Sequence, residues 1–353
     1  MPIVTVVMPC YNHERFVSEA ISSILHQTVS DIELIVVDDG SSDNSNRHIE
    51  SIADPRVKHI PLARNVGASE ATNIGIRASR GRYIAICNSD DVWVQTKLEK
   101  QVSVLGSCSE ISAVFSDVSW INDEGQTLEV SQLPWYHNVF RRATPSRSEL
   151  LRLLVEEGNF LCHPSLLIRR EVYGKIGLYN NSLRQLPDLD MWVRFAQTHS
   201  LLIMPDKLVQ FRIHNNNTSG DGSGKQARTW AEHELICRAF FRTVPDTVFY
   251  ESFGASSARA SVSSDQTVYK KEVTNYLLSY DGPFKKIFRQ IALEMCHEFA
   301  RNGDKELILA SQVHALSMEV GLAALCIAGE RTDHEPLKKT SWLSALRQLL
   351  LSR

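Results

Sequence analysis

The sequence predicts an α/β fold, a doubly wound and mostly parallel sheet, followed by an α-helical C-terminal region. Three observations carry that expectation. Buried-strand runs alternate with helical runs through the first 90 residues, the pattern of successive strand–helix–strand units. The apolar runs stop abruptly in polar residues, as strands do where a crevice opens at the carboxyl edge of such a sheet. Beyond the flexible break Gly220-Asp-Gly-Ser-Gly224 the chain reads as helices. We therefore expect one domain over 1–220 and a helical domain or extension over 225–353.

Pro2 to Met8 is β-branched and almost wholly apolar, as a central parallel strand requires. It ends in Pro9-Cys10-Tyr11-Asn12. A helix fits Glu14 to Gln27, with Phe16, Ala20, Ile21, Ile24 and Leu25 on one face. Ile32 to Val37 is a second buried strand and runs into Asp38-Asp39-Gly40. A helix over Asp43–Ile52, a short strand over Val57–Pro61, a turn at Arg64–Gly67 and a small-residue helix over Ala68–Ser79 follow. Tyr83 to Cys87 is the next buried strand, ending in Asn88-Ser89-Asp90-Asp91. Adjacent carboxylates at a buried strand end are costly unless something positive lies beside them. A divalent cation would satisfy them, and so would an Asx-type turn leading into the helix beyond Trp93. No G-x-G-x-x-G follows the first strand and no Walker-type loop is present, which disfavours a dinucleotide-binding domain.

Thr96–Leu105 reads as a helix and Ile111–Trp120 as a strand. Gln126–Pro145, with Trp135, Tyr136 and His137, is a loop that either covers a sugar or runs over the surface. Ser148–Glu157 is helical, and Asn159–Ile168 is strand-like. In a helix starting near Asp188, Asp190 and Arg194 sit four apart and can pair. Asp188 itself stands where an N-cap also fits. Leu201–Met204 and Leu208–Arg212 read as two short strands. Helices are expected at Gln226–Arg242, Thr267–Tyr280, Phe284–Asn302, Glu306–Ala315 and Ser317–Ala328. The last stretch, 338–353, groups Trp342, Leu346, Leu349 and Leu350 on one face beside Lys338, Lys339, Arg347 and Arg353. That face suits a membrane surface or packing, including a homodimer through the helical region.

The 353 residues are 43% hydrophobic and 22% charged, ordinary for a soluble protein. A net charge of −3 argues against a general nucleic-acid partner. The seven cysteines stand singly, which suits a reducing cytosol. The first residues lack a basic leader region, and no apolar run approaches the ~20 residues of a membrane span. The expected location is cytoplasmic, with peripheral contact at the inner face of the cell membrane through 338–353.

Val7-Met-Pro-Cys-Tyr-Asn12, Glu33-Leu-Ile-Val-Val-Asp-Asp-Gly-Ser-Ser-Asp43, Asn65-Val-Gly67, Asn73-Ile-Gly75 and Gly81 through Trp93 resemble, in order and spacing, glycosyltransferase family 2. The likeness covers about residues 3–219 and implies an inverting enzyme with the GT-A fold. It further implies that Pro9, Tyr11 and Asn12 line a uracil pocket, that Asp39 bonds the base, and that Asn65 and Gly67 flank the nucleotide. A tyrosine face suits a flat base, and a carboxylate suits its ring N–H. Asn88, where relatives carry the first Asp of Asp-x-Asp, would bond the ribose. Asp90, Asp91 and His214 would hold Mn²⁺ or Mg²⁺, although an isolated His in an Asn-rich loop is as readily polar surface. Asp188, matching the Asp of a Glu-Asp motif, would be the general base. His163, Ser165 and Asp190 would lie on the acceptor side and Arg212 beside phosphate. Asn88, Thr72 in place of Arg and Pro187 in place of Glu depart from the family pattern. The implied reaction moves a sugar from a UDP-sugar to a glycan or lipid-linked acceptor. A degenerate, transferase-like scaffold is the alternative those departures sustain. A nucleotidyltransferase would need a glycine-rich basic loop after the first strand, and Pro9-Cys-Tyr-Asn12 is not one.

Overall fold

The β-branched opening run forms β1 (Val4–Cys10), and both of its neighbours in the sheet are parallel to it. In the computed structural model, residues 1–301 are described, apart from 135, 215–216, 218–222 and 255–265. The expected helices at 306–315 and 317–328 and the apolar face of 338–353 lie outside the described residues. After β1 come α1 (Val17–Leu25), β2 (Ile32–Asp38), α2 (Ser45–Glu50), β3 (Val57–Pro61), α3 (Ala68–Ala78) and β4 (Tyr83–Ile86). The alternation read from the sequence is present throughout. β1 and β2 carry no polar alternation because both faces are covered. Val6, Met8 and Leu34 are buried in one layer, and Ile35 and Val37 in another with Ala71 of α3. Gly75 is required where α3 crosses β1, since a Cβ there would stand 2.4 Å from a Val7 methyl.

The second half adds β5 (Val92–Trp93), α4 (Lys97–Ser107), β6 (Ile111–Ile121), α5 (Arg147–Glu156), β7 (Leu167–Arg169), α6 (Arg170–Ile176), α7 (Pro187–Ala196) and β8 (Ser200–Arg212). The eight strands form one mixed sheet in the order β3-β2-β1-β4-β7-β6-β8-β5. The pairs β1–β2, β1–β4, β2–β3 and β6–β8 are parallel, while β4–β7, β6–β7 and β5–β8 are antiparallel. Because β7 opposes both β4 and β6, those two strands point the same way. The carboxyl ends of β1, β2, β4, β6 and β8 therefore share one edge of the sheet. β8 begins opposite Ile111, at the amino end of β6, so α7 runs back toward that amino edge. Its first turn, with Asp188, is consequently at the carboxyl edge.

Two local expectations are corrected. The stretch read as two strands is the single strand β8. Met204 pairs with Ser116 and Lys207 with Asp117, so Pro205 and Asp206 bulge out without breaking it; a bulge is where a strand tolerates a residue lacking an N–H. Of Asn159–Ile168, only the last residues extend into β7. His163–Ser165 is a 3₁₀ turn around Pro164.

The chain divides into two compact units, Met1–Phe240 and Phe241 onward. α8 (Ser223–Thr243) crosses that division. The described part of the second unit contains α9 (Asp246–Phe253), α10 (Gln266–Ser279) and α11 (Lys285–Arg301). Phe241, Phe249, Phe253, Tyr276 and Phe288 form its aromatic core. Helix α9 was not anticipated: eight residues give too few turns for a periodic pattern. Among the described residues no helix is long and apolar enough to cross a membrane.

Candidate active site

The loops leaving β1 and β2 are tied together side chain to backbone. Asn12 takes a left-handed φ of 55°, its N–H donates to Ser41 Oγ at 2.9 Å, and its Oδ1 accepts the Ser42 N–H at 2.8 Å. Asn12 thus fixes the loop after β1 against the one after β2, leaving Tyr11 beside it 45% exposed. Asp39 accepts the N–H groups of Val66 and Gly67 at 2.6 and 3.0 Å. Burial pushes its carboxyl up and those two amides oppose the shift. The turn 64–67 presses so closely on β2 that a Cβ on Gly40, whose φ is +70°, would lie 2.7 Å from the Arg64 carbonyl carbon. Asn65 is exposed in this turn, and Gly67 is the N-cap of α3. Thr72 turns inward and donates to the Ala68 carbonyl at 2.8 Å.

At the end of β4 the two carboxylates part company. Asp91 is 1% exposed and accepts the Arg212 N–H at 2.9 Å and the Asn88 Nδ2 at 3.0 Å. Burial, reinforced by Asp90, pushes its carboxyl well up. Asp90 faces the other way, its Oδ2 3.0 Å from His214 Nε2. His13, from the loop after β1, is oriented by Ser89, whose Oγ lies 2.7 Å from Nδ1. Among the described residues, His13, Asp90 and His214 each present a ligand atom, all within 4.8 Å of one another. Burial lowers the His13 pKa, with Asp90 opposing, which favours the neutral ring a metal would need. Asp91 was expected in this set and His13 was not. A carboxylate enclosed by two donors is replaced by an imidazole.

Two further expectations change. Arg212 is 1% exposed, and its guanidinium donates to the carbonyls of Asp90 (2.8 Å), Asn122 (2.8 Å) and Asp123 (3.1 Å) and to Glu19 (2.5 Å). It staples the strand ends together and does not stand open to a phosphate. Arg212→Ala is expected to lower unfolding stability by about 3–5 kcal/mol, because the carbonyls it serves lose their donor. Urea denaturation reads this directly; a loss below about 1 kcal/mol would mean that water replaces the guanidinium. Asn88 gives its amide to Asp91, so an Asp there would face a buried carboxylate. Asn88→Asp is expected to lower stability by about 1–3 kcal/mol at pH 8 and by less at pH 5, where the pair shares a proton. Equal losses at both pH values would show that the two side chains do not meet.

At the start of α7, Leu186 is the N-cap and Pro187 the first residue, where a missing N–H costs nothing. Asp188 therefore sits inside the first turn instead of capping it. Its Oδ1 accepts the Leu189 N–H at 2.8 Å and its Oδ2 the Asn159 Nδ2 at 2.7 Å. Burial raises its pKa to about 6; the Leu189 and Asn159 bonds oppose the rise, and Glu232 adds to it. Asp190 pairs with Arg194 at 2.6 Å, and Arg194 also donates to the Leu178 carbonyl at 2.9 Å. That makes Asp190 part of the helix anchorage. His163 lies 2.8 Å from the Tyr179 hydroxyl, and burial lowers its pKa to about 4. Ser165 is fully buried, bonded to the Cys162 carbonyl and the Ser116 N–H, and belongs to the core. Sequence reasoning gave no role to the Asn73 side chain, which holds both the N–H and the carbonyl of Tyr179.

The sequence profile of glycosyl transferase family 2 matches residues 5–177. An uncharacterized glycosyltransferase of Rickettsia prowazekii is 31% identical over 316 residues, covering 89% of this chain and 91% of that one. An Escherichia coli enzyme named UDP-Glc:alpha-D-GlcNAc-diphosphoundecaprenol beta-1,3-glucosyltransferase is 38% identical over 121 residues, 34% of this chain and 47% of its own. The crystal structure of S. aureus TarS 1–349 in complex with UDP superposes with a TM-score of 0.54 at 14% identity, over 96% of this chain and 95% of that one. Fold and relatives together define a glycosyltransferase built on the GT-A fold. The chain belongs to glycosyltransferase family 2.

Proposed function

We propose that this transferase moves a sugar from a UDP-sugar to a hydroxyl of a glycan or lipid-linked acceptor, with inversion at the anomeric carbon. The observation that carries the reading is the placing of the Asp188 carboxyl, held by Asn159 and the Leu189 N–H, at the sheet edge that also holds His13, Asp90 and His214; burial there raises its pKa to about 6. A base poised near neutral pH takes a proton effectively and remains ionised at working pH. The acceptor oxygen bonds to the anomeric carbon as the bond to phosphate breaks, UDP leaves with the electron pair, and Asp188 receives the hydroxyl proton. One displacement inverts the centre and needs no protein nucleophile. Tyr11 offers a ring face to uracil, and Asp39, Asn65 and Gly67 shape the turn behind it.

Two imidazoles and a carboxylate fit a divalent cation of the Mn²⁺ type better than Mg²⁺, which prefers oxygen ligands alone. A cation held there would neutralise charge developing on the diphosphate leaving group. The donor assignment is supported by the fold shared with TarS, crystallised with UDP and with UDP-GlcNAc, and by the E. coli relative, whose name specifies a UDP-sugar and a lipid-linked acceptor. A cytoplasmic enzyme meeting its acceptor at the inner membrane face follows from the same reading. The test is UDP release from UDP-glucose and UDP-GlcNAc with Mn²⁺ or EDTA. Release that EDTA abolishes is expected. A folded protein that neither hydrolyses nor binds a nucleotide-sugar would be a scaffold.

A further inference from the structure

We infer that Glu232, on α8 and outside the segment matched by the family profile, is a positioning residue for Asp188. This rests on the general-base reading of Asp188 given above. Glu232 is 6% exposed and forms no ion pair among the described residues. Its carboxylate instead accepts three successive backbone N–H groups, those of Arg184 at 2.9 Å, Gln185 at 2.7 Å and Leu186 at 2.8 Å. A buried carboxylate without a cation is expensive, and three converging amides form the kind of anion cradle that stabilises it. The cradle ends where the helix begins, because Pro187 has no N–H to offer. The main chain entering α7 is therefore fixed from outside, two residues before the base.

Position is half of the consequence and charge is the other half. Asp188 is faced by Asn159 from the loop after α5, by Tyr179 (itself bonded to His163) from the loop after α6, and by Glu232 from α8. On its own helix, Asp190 is paired with Arg194. Among these groups Glu232 is the negative charge that no cation balances. Added to burial, it strengthens the hold of Asp188 on a proton. An isosteric amide at 232 would keep a carbonyl for one or two of the N–H groups and lose the charge.

The experiment is a ¹³C NMR titration of the full chain labelled at the aspartate carboxyl carbons, with Asp188→Asn used to assign the signal. The wild-type midpoint is expected near 6, and Glu232→Gln should move it down by about 0.5–1 pH unit. An unmoved or raised midpoint overturns the inference. Glu232→Asp keeps the charge but shortens the reach. It should leave the midpoint near that of the wild type while speeding hydrogen exchange at the amides of 184–186. Unchanged exchange there overturns the positioning role, and this variant decides alone if Glu232→Gln does not fold. Normal turnover by Asp188→Asn would instead sink the base assignment and leave the titration result standing, so the two failures are distinct.

Discussion

Asp188→Asn should lose about 10²–10⁴-fold in kcat, the usual contribution of a general base, while UDP affinity by calorimetry stays near that of the wild type. The carboxyl lies between Asn159 and the first turn of α7; as the proposed general base its loss would remove the proton acceptor and leave the proposed nucleotide contacts of Tyr11 and Asp39 alone. The wild-type pH profile supplies a second reading. With a folded pKa raised to about 6, the base is ionised above that pH, and activity should fall as pH drops through it. Asp190→Asn should behave otherwise, losing about 1–2 kcal/mol of stability with the Arg194 pair and keeping most of its turnover. A folded, inactive Asp190→Asn beside an active Asp188→Asn would move the base two residues along.

Asp90→Asn should weaken Mn²⁺ binding by at least about 100-fold, since even partners one layer out from a metal contribute 10–100-fold. His13→Ala should fall in the same direction. Electron paramagnetic resonance of free Mn²⁺ measures this without reference to turnover, and UDP affinity in EDTA should not move. Asp91→Asn should instead register as lost stability, because Asp91 is enclosed by the Arg212 N–H and the Asn88 amide. A loss of Mn²⁺ from Asp91→Asn equal to that from Asp90→Asn would return Asp91 to the ligand set.

β1, β2 and β4 were legible because parallel strands covered on both faces read as apolar runs, and each ends where the loops begin; β3, the half-exposed edge strand, was legible only as a short run between two helices. The break seen within β8 was misleading: Pro205 marks a bulge as often as an end, and only pairing with β6 decides which. In the candidate site, the sequence pointed to Asp90 and His214, which the structure brings together, and to Asp188, because each stands in a motif with fixed neighbours. Asp91 differs from Asp90 for a local reason: its carboxylate accepts the Arg212 N–H and the Asn88 amide, and two neighbouring letters in a sequence do not say which of them a backbone donor will take up. Arg212 looked like a phosphate ligand because burial is not written in a short motif. His13 follows Tyr11-Asn12 with no periodic signal, and Glu232 is 46 residues beyond Leu186, on a helix whose pattern reports only its packing. Asn88 and Pro187, departures that kept a degenerate scaffold open as the alternative, have local explanations in the Asp91 amide bond and in the first position of α7.

The ligand cluster also has a place in time. Residues 76 apart bring His13 to Ser89, and residues 124 apart bring His214 to Asp90. Contacts across such separations form after local helices and neighbouring strand pairs, because the intervening chain must first be ordered. During synthesis β1, β2 and β4 emerge and can pair long before His214 leaves the ribosome. A cation taken up by His13, Asp90 and His214 would therefore not nucleate this fold. It would stabilise the completed one by mass action, so on the proposed reading metal occupancy would report that β8 has joined the sheet, and a chain cut before His214 would lack that signal however well its first half folds.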